Sequence, residues 1–175
     1  MNRLKDKVAI ITGASRGIGA AIADRFSEEG ASVAILDILD EPGHALAATL
    51  KDKGRHAIYL HCDTSKEADV AAAVAATVKT FGKLNVLVNN AGVVIVATPK
   101  STTLEQFRFA NAVMSEGVFL GVKAAIPAMQ AAGGGSIINM ASVATELGYP
   151  VFFAYTAAKG AVISHRAEIA RSMVG

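Results

Sequence analysis

Lys7-Val8-Ala9-Ile10-Ile11-Thr12-Gly13-Ala14-Ser15-Arg16-Gly17-Ile18-Gly19 reads as a short buried strand that runs straight into a glycine-rich turn and then into a helix. Glycines let a backbone approach a pyrophosphate closely, while the free N–H groups and dipole of the following helix face its charge. The spacing is GxxxGxG, not GxGxxG, and a glycine triplet alone is weak evidence because turns use glycine for positive φ anyway. The next segment strengthens it. Ser32-Val33-Ala34-Ile35-Leu36 is a second apolar strand ending in Asp37. That acid falls about twenty residues past the turn, where a carboxylate accepts hydrogen bonds from an adenosine ribose. Gly13, Ser15, Arg16, Ile18, Gly19 and Asp37 are therefore the first candidate contacts to a dinucleotide.

Outward from this stretch, apolar strand-like runs alternate with amphipathic helical ones, the pattern of a doubly wound α/β fold: a parallel sheet with helices on both faces. Five strands are predicted, at 7–12, 32–37, 56–61, 84–89 and 135–141. Thr64-x-x-Glu67 and Thr102-x-x-Glu105 look like capping boxes that open two intervening helices. The Ala-rich run from Ala68 to Val78 keeps helical periodicity and is read as helix. No repeat or domain boundary appears, so residues 1–175 are taken as a single domain. In such sheets ligands bind beyond the carboxyl ends of the strands. Gly13, Asp37, Asp63, Asn90 and Ser142 each fall at or just past a predicted strand end, so one crevice would gather them.

Tyr155-Thr156-Ala157-Ala158-Lys159, with Ser142 upstream, places a phenol, an ammonium and a hydroxyl where one carbonyl group would meet all three. A phenol is a poor base at neutrality unless a cation stabilises its ionised form. On a helix, positions i and i+4 share a face, so Lys159 is spaced to be that cation. Taken alone, the pair reads more simply as a tyrosine lying beside a lysine. The rest of the chain reverses that balance.

These residues resemble the short-chain dehydrogenase/reductase family, through Thr12-Gly13-x-x-x-Gly17-x-Gly19, Asp63, Asn89-Asn90-Ala91-Gly92, and Tyr155-x-x-x-Lys159, in the family's order over nearly the whole chain. The resemblance implies a Rossmann-like sheet and a nicotinamide cofactor, with Asp63 against the adenine and Asn90 in the cofactor crevice. It implies Tyr155 as general acid/base, Lys159 assisting it and holding the nicotinamide ribose, and Ser142 polarising the substrate oxygen. Asp37 would repel a 2′-phosphate and Arg16 would attract one. The balance favours NAD over NADP.

Composition agrees. The chain has 17 basic and 15 acidic residues scattered along it and no basic block, which argues against nucleic acid. Its one cysteine, Cys62, rules out an internal disulfide and suits a reducing compartment. Histidines 44, 56, 61 and 165 lack metal-ligand spacing, so no metal is expected. The apolar run after Leu4-Lys5 is interrupted by Gly13 before it forms a signal sequence. The uncharged stretch between Lys123 and Glu146 contains Pro127, three glycines and Asn139, which disqualifies it as a membrane span. A cytoplasmic protein is expected.

Two departures from the resemblance qualify its meaning. Where the family commonly carries an asparagine that holds a proton-relay water, this chain has Met114, in Met114-Ser115-Glu116-Gly117-Val118-Phe119. A thioether donates no hydrogen bond, so proton delivery slows unless Asn111, one turn earlier, reaches the same water. The sequence also stops at Gly175, short of two further strands and a covering segment that relatives carry, leaving Ser136-Ile137-Ile138-Asn139-Met140-Ala141 as an uncharged sheet edge. Two functions stay open. One is an NAD-dependent oxidoreductase of a small apolar secondary alcohol or ketone, and the other is a cofactor-binding or oligomeric scaffold with little turnover. A homodimer or homotetramer is expected under both, through helices at 103–131 and 155–172. Val118, Val122, Ala125 and Met129 follow helical spacing and fit either that interface or the chain's own core. Leu147, Tyr149, Val151, Phe152 and Phe153 form either an apolar substrate wall or more core.

Overall fold

The computed structural model describes residues 2–172; the ends of the predicted domain, Met1 and residues 173–175, lie outside it. Strand and helix alternate as β1 (Val8–Thr12), α1 (Gly17–Glu28), β2 (Ser32–Asp37), α2 (Asp40–Asp52), β3 (Ala57–His61), α3 (Glu67–Phe81) and β4 (Val86–Asn89). There follow α4 (Leu104–Asn111), a π-helical segment (Ala112–Glu116), α5 (Gly117–Ala131), β5 (Ser136–Asn139), α6 (Ala144–Leu147) and α7 (Phe153–Ser172). The five strands are parallel in the order β3-β2-β1-β4-β5. This is the Rossmann-like α/β sheet expected from the alternating pattern.

The central strands are apolar at every position because both of their faces are covered. Successive side chains point to opposite faces. Ala9, Ile11, Val33 and Ile35 pack with Ala23 of α1 and with Ala47 and Leu50 of α2. Ile10, Ala34, Leu36 and Leu87 pack on the other face with Val70 and Val74 of α3 and with Ala125 and Met129 of α5. A third cluster joins Ala110 and Met114 to Ala154 and Ala158, seating α7 on the α4–α5 run.

The later strands are shorter than predicted, for identifiable reasons. β4 begins at Val86, two residues later than predicted; Asn85 before it bonds by its main chain to Val8 and Ser136 and accepts the Val8 N–H with its side chain at 3.1 Å. β5 ends at Asn139 because Met140 makes the last rung, its N–H donating to the Asn89 carbonyl, and then turns its own carbonyl to α7. β5 forms one edge of the sheet, with Ile138 partly exposed.

Both predicted capping boxes need correction. α3 starts after Lys66 with no side-chain cap, and the Thr64 hydroxyl goes elsewhere. The second box is real but shifted by one residue. Thr103 accepts the Gln106 N–H at 3.1 Å, and the Gln106 side chain accepts the Thr103 N–H at 3.0 Å, while Thr102 bonds back to the Thr98 carbonyl. The continuous run Leu104–Ala131 is long and apolar enough to cross a membrane by length and composition alone. Ala110, Met114, Val118, Ala125 and Met129 along it are nevertheless buried within the protein. The stripe on α5 is thus buried at three of its four positions, with Ala125 and Met129 packed on the sheet and Val122 half-buried.

Candidate active site

The crevice opens where β1 and β4 lie side by side and the strand order reverses direction. Its turn is formed by close approaches that only glycine permits. Gly13 has φ +62°, and a Cβ there would lie 2.7 Å from Ala91 Cα. A Cβ on Gly19 would lie 2.4 Å from the Gly13 carbonyl oxygen and 2.6 Å from Asn90 Nδ2. Asn90 Nδ2 donates to the Thr12 and Gly13 carbonyls at 2.9 and 3.0 Å. The Thr12 hydroxyl in return accepts the N–H groups of Asn90 and Ala91, both at 3.0 Å. Asn90 therefore acts first as a stitch between strand ends. α1 begins at Gly17 with no side-chain cap from Arg16, so its first-turn N–H groups are left for an outside acceptor.

At the end of β2 the Asp37 carboxylate accepts the N–H groups of Ser15, Ile38 and Leu39, at 3.0, 2.8 and 3.2 Å. Ser15 donates its hydroxyl to the Leu39 carbonyl at 3.1 Å. Both polar groups of Ser15 thus hold the turn against the β2 end. Beyond β3, Asp63 accepts the N–H and hydroxyl of Ser65. Burial works to raise its pKa, but these bonds and the nearby Lys66 outweigh it and hold the carboxyl below its ordinary value. Cys62 is buried beside it, and desolvation, aided by Asp69 and Asp63, pushes the thiol up to about 12, which makes it inert at neutral pH.

α7 brings the phenol and the ammonium in. Lys159 is only 5% exposed and donates to the Met140 carbonyl at 2.5 Å, with its Nζ 5.9 Å from the centre of the Tyr155 ring. Burial lowers the pKa of this lysine. Met114 is fully buried, and the Cβ position of Gly92 lies 3.4 Å from its sulfur and 3.7 Å from Lys159 Nζ. Asn111 faces away, bonding back to the Phe107 carbonyl at 2.9 Å, so it does not take over the position that Met114 fills. Ser142 follows Ala141 in the chain, and its hydroxyl oxygen accepts the Ala144 N–H at 3.2 Å.

A cavity of about 470 Å³ joins these parts, within the ~300–1,000 Å³ usual for ligand sites. Gly13, Arg16, Ile18, Asp37, Asp63, Asn90, Tyr155 and Lys159 all line it. Ser15, Gly19 and Ser142 do not; the first two stand behind the turn, and Ser142 is represented in the wall by its neighbour Ala141. Thr12, Thr64 and Met140, read from the sequence only as motif, helix cap and strand, make structural bonds around the site that those readings did not include. Their signal lies in tertiary partners rather than in spacing. Among the described residues there is no cluster of three or more His, Cys, Asp or Glu fit to hold a metal.

A family model described as short chain dehydrogenase matches residues 7–174. The chain belongs to the short chain dehydrogenase family. It is 42% identical over 167 residues to a trans-4-hydroxycyclohexanecarboxylate dehydrogenase of Sinomonas cyclohexanicum, covering 92% of this chain and 64% of that relative. It is 43% identical over 160 residues to a 3-alpha-(or 20-beta)-hydroxysteroid dehydrogenase of Mycobacterium tuberculosis, covering 91% and 60%. A 2-(R)-hydroxypropyl-CoM dehydrogenase of Xanthobacter autotrophicus is 42% identical over 176 residues, covering 97% and 69%. This short chain dehydrogenase sequence thus spans 60–64% of the length of the first two relatives.

Proposed function

We propose that this chain forms the cofactor-binding and catalytic portion of an NAD-dependent oxidoreductase acting on a small apolar secondary alcohol or its ketone. The observation that carries the proposal is the convergence of Gly13, Asp37, Asn90, Tyr155 and Lys159 on a single cavity. The residues fit a dinucleotide. The uncapped N-terminus of α1 offers free N–H groups to a pyrophosphate, and Asp37 stands where ribose hydroxyls would donate. A carboxylate there favours NAD over NADP.

A bound nicotinamide supplies the hydride acceptor or donor. Tyr155 passes the proton to or from the substrate oxygen, Ser142 holds that oxygen with its hydroxyl, and Lys159 keeps positive charge beside the phenol while reaching the cofactor ribose. Supporting an apolar substrate, Val94, Val143, Leu147 and Tyr149 are exposed apolar side chains on the segments that follow β4 and β5. The names of the relatives cited above include ring alcohols, in keeping with a cyclic secondary alcohol. A cytoplasmic homodimer or homotetramer belongs to the same proposal, and exposed Phe109 and Phe119 on the α4–α5 run are apolar surface that such an assembly would cover.

A second reading, a cofactor-binding scaffold with little turnover, is favoured by one observation: a thioether, Met114, is buried at the position in question, while the Asn111 amide is bonded back to Phe107. Calorimetric titration with NADH and NADPH, paired with turnover of cyclohexanol by wild type and Tyr155→Phe, decides between them. Saturable binding that favours NADH and a large loss of turnover in Tyr155→Phe are expected. Binding without turnover in either form supports the scaffold, and no binding of either nucleotide overturns both readings.

A further inference from the structure

The π-helical segment Ala112–Glu116 inserts one extra residue between α4 and α5. The Gly117 N–H donates to the Ala112 carbonyl, five residues back. In an α-helix that N–H would serve Val113, four residues back, so the widened turn takes the α-helical partner away from the Val113 carbonyl. A side chain from another element meets it: Thr64, just past β3, donates its hydroxyl to the Val113 carbonyl at 3.4 Å. The absence of a side chain at Gly117 admits this contact, since a Cβ there would lie 3.2 Å from Thr64 Cβ and Oγ1. Thr64 is buried and lines the same cavity as Tyr155 and Lys159.

The bulge sets the phase of everything it joins. Removing it would turn α4 relative to α5 by one residue, about 100° and 1.5 Å. Ala110 would then leave its packing on Ala154 and Ala158 of α7, or Val118, Ala125 and Met129 would leave their buried positions. Met114 sits inside the bulge and packs with Ala154 and Ala158 of α7, and its neighbour Val113 lines the cavity, so the position of both depends on the same phase.

We propose that Thr64 is a positioning residue: its hydroxyl holds the Ala112–Glu116 bulge open, and through the bulge fixes Met114 and α7 at the Lys159 end of the crevice. The effect on catalysis rests on the dehydrogenase reading; the clamp itself does not.

The test compares Thr64→Val, which keeps the shape and loses the hydroxyl, with Thr64→Ser, which keeps the hydroxyl. Hydrogen exchange is followed at the amides of residues 113–118 without cofactor. Loss of one buried hydrogen bond predicts about fivefold faster exchange there in Thr64→Val, with β1 and β2 amides unchanged and Thr64→Ser near wild type. Gly117→Ala, which pushes Thr64 from the opposite side, gives the same local signature should Thr64→Val fail to fold. Cyclohexanol oxidation adds the catalytic arm, where kcat falls in Thr64→Val and Thr64→Ser restores it. Unchanged exchange at 113–118, or Thr64→Ser behaving like Thr64→Val, overturns the clamp. If wild type binds no NADH, the dehydrogenase reading falls while the exchange result still decides the clamp.

Discussion

The Lys159 ammonium donates to the main-chain carbonyl of Met140, 2.5 Å away, tying α7 to the point where β5 leaves the sheet and the chain turns toward Ser142. This bond anchors the lysine in a buried setting close to Gly92, largely out of water. Removal from water disfavours its charge, so its folded pKa lies below the ordinary 10.5.

The sign of the resulting pH dependence follows. In the window just below 10.5 the unfolded chain binds the Lys159 proton more fully than the folded one, so this group makes stability rise with pH across that window. Lys159→Met removes the dependence. Urea unfolding as a function of pH is expected to show wild type gaining on the variant as pH climbs toward 10.5. Parallel curves would show that the buried lysine has no such penalty.

Met114→Asn introduces a donor and an acceptor in a site that is fully buried. It is expected to lower stability by about 1–3 kcal/mol, the range for burying an amide that is only partly satisfied. Turnover should rise several-fold, because the amide can hold a relay water that a thioether cannot. Unchanged turnover with intact NADH affinity would remove Met114 from the proton path.

Asp37→Ala leaves the N–H groups of Ser15, Ile38 and Leu39 without their carboxylate. Bonds to a charged acceptor contribute about 1.5–3 kcal/mol each, though not additively, so a stability loss of at least ~2 kcal/mol is expected in urea titration. NADH affinity should fall and the NADPH-to-NADH affinity ratio should rise. An unaltered ratio by calorimetry would mean that Asp37 does not select the nucleotide.

Gly17 and Gly19 separate two kinds of glycine requirement. Gly17 has φ +59° and open space where a Cβ would go, so Gly17→Ala meets only backbone strain, about 1–2 kcal/mol. Gly19→Ala drives a methyl into the Gly13 carbonyl and the Asn90 amide and must open the turn. Thermal unfolding and NADH titration should find Gly19→Ala the more damaging in both. Equal damage would show that the turn yields where the structure has it tight.

Legibility in the sequence followed the range of the interactions. The strand at Val8–Thr12 was readable because burial on both faces demands an apolar run, Asp37 was placed by its distance past the glycine turn, and Asp63 and Asn90 were singled out by family resemblance at strand ends. Ser15 could be assigned to the turn, but its engagement with Asp37 and Leu39 depends on how closely β1 and β2 run together. The Thr64 box failed because Thr-x-x-Glu spacing cannot show that a hydroxyl has a better-placed acceptor forty-nine residues away, at Val113. Asn111 looked able to replace an asparagine at position 114 on a uniform helix. Position 114 lies inside the π-bulge that starts just after Asn111, and Asn111 bonds to Phe107.

What the sequence determined by itself were features with a fixed period or spacing: five strands from apolar runs, the glycine turn from positive φ and close approach, and a shared helical face for Tyr155 and Lys159 from i,i+4 geometry. These are local because backbone sterics and periodicity act over a few residues. Tertiary structure alone decided the stitch from Asn90 to Gly13, the hold of Met140 on Lys159, the contact of Thr64 with the bulge and the packing of Met114 against α7. Each joins residues far apart in the chain, and the energy of such a contact exists only after the sheet has brought its two ends within hydrogen-bond reach.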